Sequence, residues 1–163
     1  NLREEKGYTY GARTVFARRK KTGIFMAYAS VKSDTTLLSL LEIKKELAGI
    51  TGDKPVTETE FLAAKNGLLL GLPGNYERMS KVASQVHHVA AFNRQASWLA
   101  NYPKSVRAVT IEKVHAAAQR SAQWTTMGII VAGDRKKIEP ELKKLGLPIH
   151  LYNAQGLPLT EGE

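Results

Sequence analysis

The chain has 163 residues, 43% of them hydrophobic and 24% charged, the balance of a folded globular domain and not of a disordered or fibrous chain. It has no cysteine, which excludes disulfides and thiolate metal ligands, and no apolar run approaches the ~18 residues that a bilayer span needs. The net charge of +9, from 24 Lys and Arg against 15 Asp and Glu, favours acidic partners, yet no nucleic-acid module or interleaved aromatic stripe accompanies it.

Residues 1–7 read as the tail of a helix: Leu2 to Lys6 are good helix formers, and Gly7 suits a left-handed cap. Two strands follow, over residues 8–18 and Gly23–Val31, rich in Tyr, Val, Phe and Thr. The basic segment from Arg19 to Lys21 turns between them, its charges guarding against stray pairing. Ser33 and Asp34 open a helix running to about Gly49, with Leu37, Leu40, Leu41 and Leu47 at helical spacing. Thr57-Glu58-Thr59-Glu60 is a capping box that starts a second helix at Glu58, ending near Leu70.

Leu72-Pro73-Gly74 stops that helix, and Asn75 caps a long third one carrying Met79, Val82, Val86, Val89 and Ala96 on one stripe. Thr110 opens a fourth, with Ile111, Val114 and Ala118 facing inward. The apolar run over residues 127–132 ends in Gly133-Asp134 and reads as a strand buried on both faces. A short helix over residues 138–145 and a last strand over residues 149–152 complete the chain. The expected fold is α+β: one mixed, largely antiparallel sheet with helices packed on it, in a single domain spanning residues 1–163.

The residues alone carry little chemistry. The four histidines are His87, His88, His115 and His150. Neighbours on a helix point about 100° apart, so His87 and His88 do not grip one ion. Neither His-Glu-x-x-His nor His-x-x-Glu-His occurs, and no Ser sits in a Gly-x-Ser-x-Gly elbow. The basic clusters Arg18 to Lys21, Arg135 to Lys137 and Lys143-Lys144 lie in expected turns or on a helix flank, where solvated surface explains them.

The stretch from Leu2 to Ala12, Leu-Arg-Glu-Glu-Lys-Gly-Tyr-Thr-Tyr-Gly-Ala, resembles the Leu-Arg-x-x-x-Gly-x-x-Tyr segment of insulinase-like zinc metallopeptidases, the pitrilysin and processing-peptidase group. Further pieces agree in order: Ala29 to Asp34 with the following helix, Val56 to Glu60 with Ala64-Lys65, Leu72-Pro73-Gly74, Val109-Thr110, and the run ending in Gly133-Asp134. In that family two homologous halves enclose a peptide. One carries the inverted zinc motif, and the other supplies an arginine–tyrosine pair.

The resemblance implies that this chain is of the second kind, with Arg3 and Tyr10 at the positions of the pair. Arg3 would bind peptide carbonyl groups as a permanent cation with a fork of donors. Tyr10 would help hold the oxyanion at the scissile carbonyl, and Tyr8 would line the same cleft. Seven extended residues span ~25 Å, too far for two side chains to share one peptide bond, so a bend at Gly7 is required between them.

The resemblance further implies no metal in this chain and zinc in a partner half. The partners are then a homologous zinc-bearing domain or subunit and a peptide substrate, with neither nucleic acid nor membrane insertion. The family's half-structure begins with additional strand and helix before the Leu-Arg segment, so the chain reads as truncated at its N-terminus. Family habit points to the bacterial periplasm, with the mitochondrion as the alternative. The rival readings are a non-proteolytic structural homologue and a basic nucleic-acid-binding module.

Overall fold

The computed structural model describes Leu2 and residues 6–159. Its elements are β1 (Thr9–Arg18), β2 (Gly23–Val31), α1 (Thr36–Thr51), α2 (Glu58–Leu70), α3 (Met79–Ala91), α4 (Ser97–Arg107), α5 (Ile111–Ser121) and α6 (Arg135–Leu142), with short 3-10 turns between some of them. The class is α+β: the described residues form a two-stranded antiparallel hairpin and six helices. None of the described helices is long and apolar enough to cross a membrane. The chain divides into two compact units, one formed by Asn1–Ala12, Tyr28–Ile43 and Gly128–Glu163, the other by Arg13–Ala27 and Lys44–Met127.

In the first unit, Leu2 and Ile138 are buried together with the polar residues Thr9, Thr36 and Ser39. The 3-10 turn Ser33–Thr35 leads into α1 and packs against α6. Asp134 caps α6, its carboxylate accepting from the Lys136 amide at 3.1 Å. That cap starts the helix three residues before the first residue expected from the apolar pattern, Ile138. Gly146, at φ +66°, turns the chain out of the helical stretch. A second turn follows at residues 153–157, where the Asn153 side chain accepts from the Gln155 and Leu157 amides at 3.0 and 2.9 Å.

In the second unit, Leu47, Phe61, Val106 and Ala122 are the buried apolar residues, and α4 packs on both α2 and α3. The capping box of α2 is complete: the Glu60 amide donates to Thr57 Oγ1 at 3.3 Å, and the Thr57 amide donates to Glu60 Oε2 at 2.9 Å. Lys65 reaches from α2 to the Val109 carbonyl at 2.8 Å, and its ammonium lies 5.1 Å from the centre of the Phe61 ring. His115 Nε2 donates to the Val56 carbonyl at 2.9 Å, so this histidine is a structural tie between α5 and the segment before α2. The hairpin turn is closed by the Arg19 amide donating to the Thr22 carbonyl at 2.9 Å.

Three expectations differ from the structure. The long third helix is two helices: α3 ends at Ala91, Asn93 adopts a left-handed φ of 49°, and α4 starts at Ser97. The run over residues 127–132 is not buried on both faces. Met127, Ile129 and Val131 are half-buried, while Ile130 between them is 97% exposed. That is the alternation of a segment covered on one side only. Among the described residues the sheet has two strands, and residues 149–152 join no ladder beyond an isolated bridge between Tyr152 and Pro158. Neither segment has a described strand alongside to take up its backbone groups, so the mixed sheet is not formed by these residues.

Candidate functional site

The segment singled out by the sequence bends where expected. Gly7 sits at φ +63°, a conformation that any residue with a Cβ adopts only at a cost. Beyond the bend, the Tyr8 amide donates back to the Leu2 carbonyl at 3.0 Å. The chain therefore doubles on itself between residues 2 and 8 instead of running extended. The Tyr8 carbonyl in turn accepts from the Lys32 amide at 3.4 Å, fastening the bend to the residue after β2.

Thr9 follows and is 8% exposed. Its hydroxyl donates to the Ser30 carbonyl at 2.6 Å and accepts from the Gly11 amide at 3.1 Å. Both hydroxyl capacities are used inside the hairpin, so the side chain is fixed inward. Successive strand residues point to opposite faces, and Tyr10 is accordingly turned out, 98% exposed. Tyr8 lies in a bend before β1 and is half-buried. Arg3 lies outside the described residues. The Tyr10 side chain is thus open to solvent.

Other groups with altered acidity are accounted for locally. Glu139 bridges Arg135 at 2.7 Å and Lys143 at 2.8 Å. Hydrogen bonds from Arg135 and then Lys143 bring its carboxyl down to about 2. This trio borders a hollow with Leu147, His150 and Tyr152 that includes neither Tyr8 nor Tyr10. Among the described residues, no three His, Asp or Glu side chains come together as a metal-binding group.

One cluster has no counterpart in the sequence reading. The His88 ring lies 4.7 Å from Phe92 and 5.2 Å from Trp98, centre to centre, and Trp98 lies 5.4 Å from Tyr102. The Arg94 guanidinium sits 4.2 Å from the centre of the Trp98 ring, a cation–π arrangement. Burial pushes the His88 imidazole below the usual histidine value, and the nearby charges of Arg94, Arg18 and His87 add to the effect. Its Nδ1 is buried without a hydrogen-bond partner. The spacing of His88 with Phe92 and of Trp98 with Tyr102, both i,i+4, was the available signal.

No family model matches the chain, and no curated protein matches it in sequence. Among solved structures it is similar to the peptidase M16 inactive domain from Pseudomonas fluorescens, with a TM-score of 0.64 and 22% sequence identity over 74% of this chain. The match spans 28% of that longer chain. The fold is therefore like that of a peptidase M16 inactive domain, in agreement with the resemblance carried by Leu2 to Asp134.

Proposed function

We propose that the chain is the substrate-clamping, metal-free half of a two-part zinc peptidase, with Arg3 and Tyr10 completing an active site whose metal is held by a homologous partner half. The observation that carries this reading is the Gly7 bend, which returns the Tyr8 amide to the Leu2 carbonyl within a fold like that of the inactive domain. A left-handed glycine at this place is what an arginine and a tyrosine seven residues apart need in order to serve one peptide.

The division of labour follows from the side chains. A guanidinium holds peptide carbonyl oxygens through several donors while staying charged at every working pH. A phenol presented on the open side of a strand donates one hydrogen bond to an oxygen that gains charge during the reaction. Extended substrates pairing with an exposed strand edge acquire main-chain hydrogen bonds with little demand on sequence. On this reading the zinc belongs to the partner half, and this half alone does not cleave peptides.

The test is reconstitution with the zinc-bearing half and measurement of peptide turnover with Arg3→Ala and Tyr10→Phe. The expected result is a large loss of turnover in each variant. Near-wild-type turnover in both removes the catalytic role and leaves the non-proteolytic scaffold reading, which copurification with a membrane complex instead of a His-x-x-Glu-His chain would support.

A further inference from the structure

We propose that the turn of the β1–β2 hairpin is a docking surface for a bilayer bearing anionic phospholipid headgroups. Arg18, Arg19, Lys20 and Lys21 are consecutive and all exposed. None of them makes an ion pair with a described residue. Four unpaired cations in so short a stretch repel one another, and a negatively charged surface relieves that repulsion.

The apolar side of the surface lies on the strand ends next to the cations. Phe16 is 61% and Ile24 48% exposed. The Phe16 and Phe25 rings pack at 4.9 Å with a 40° tilt, beside a shallow hollow that Arg18 and Ser121 also border. Peripheral membrane attachment needs two weak signals acting together, and a polybasic segment joined to exposed apolar residues supplies both. Arginine and lysine stems lie along apolar surface while their charged ends reach headgroups. Single-stranded nucleic acid instead takes aromatic faces left free for bases, and here the two phenyl rings are packed on each other.

Each cation near an anionic bilayer strengthens attachment by roughly fivefold. A charge-only role in preventing strand pairing predicts no attachment at all, and the two roles separate when the charge is reversed and not removed: glutamates still guard the turn but repel the bilayer.

The test is sedimentation of the protein with phosphatidylcholine vesicles containing phosphatidylglycerol, with pure phosphatidylcholine vesicles as the control. The expected result is salt-sensitive attachment to the anionic vesicles only. The triple variant Arg19→Glu, Lys20→Glu, Lys21→Glu is expected to weaken it by at least about a hundredfold. Phe16→Ser, at an exposed position, is expected to weaken it severalfold with the salt dependence kept, circular dichroism confirming that the fold survives. Equal attachment to neutral vesicles, or attachment untouched by the triple variant, overturns the proposal. So does absence of vesicle binding alongside charge-dependent binding to polyglutamate or to a single-stranded oligonucleotide, which reassigns the turn to that partner. Vesicle attachment is read without any measurement of turnover, so this inference and the peptidase reading fail separately.

Discussion

Leu2 and Tyr8 are hydrogen-bonded through their main chains, the Tyr8 amide to the Leu2 carbonyl at 3.0 Å, with Gly7 between them at φ +63°. Among the described residues nothing lies within 4 Å of where a Cβ on Gly7 would be, and the left-handed φ by itself makes a side chain there costly. Gly7→Ala is expected to destabilise the fold by about 1–2 kcal/mol, and Gly7→Asn by less, since Asn tolerates the left-handed region. The midpoint and slope of urea unfolding measure both.

Turnover in the reconstituted enzyme should divide the two proposed catalytic side chains. Tyr10→Phe removes one donor to a developing charge and is expected to lower kcat by about 10²–10³ with little change in KM. Arg3→Ala removes substrate binding and is expected to raise KM as well. A Tyr10→Phe variant that changes only KM contradicts the assigned role.

At the start of α2, Thr57→Ala removes the hydroxyl that accepts the Glu60 amide. The expected loss is about 1 kcal/mol, read from the urea midpoint. Thr57→Ser retains the oxygen and is expected to stay near wild type.

His88 gives the stability an acid limb. Its folded-state value lies below the 6.5 of the free group, first through burial and then through Arg94, Arg18 and His87. Above that free value both states are neutral and stability is level. As pH falls below 6.5 the unfolded chain takes the proton first, so stability declines until the folded imidazole is protonated too. His88→Gln is expected to flatten the dependence over that window, measured by thermal unfolding at successive pH values.

Glu139 acts lower on the scale. Its folded carboxyl titrates at about 2 against 4.5 for the free group, because Arg135 and Lys143 bond to the carboxylate. The stabilisation is complete above 4.5 and is lost as pH falls toward 2. Glu139→Gln is expected to remove that part of the acid transition, followed by circular dichroism.

What could be read from the sequence was local. The box Thr57-x-x-Glu60 and the cap Thr110 each act within one turn of helix, and α2 and α5 begin where those residues place them. The bend at Gly7 is similarly a property of one residue. The break between α3 and α4 was hidden because Phe92 to Ala96 contains no glycine or proline, and the left-handed Asn93 looks like any polar helix residue. Pro103 lies inside α4, where a proline ordinarily disfavours helix. Residues 127–132 mislead for a different reason: apolar content records what a strand can bury, while its covering comes from residues far away in the chain. Tyr10 was singled out by resemblance alone, since its neighbours in sequence do not set it apart from Tyr8 or Tyr28.

The buried Thr9 hydroxyl has a consequence for its neighbour. Because it donates to the Ser30 carbonyl on β2, β1 cannot roll about its own axis without breaking that link. The outward aim of the next phenol is thus a mechanical property of the ribbon, maintained by a small alcohol buried on its other side, like a keel beneath a mast.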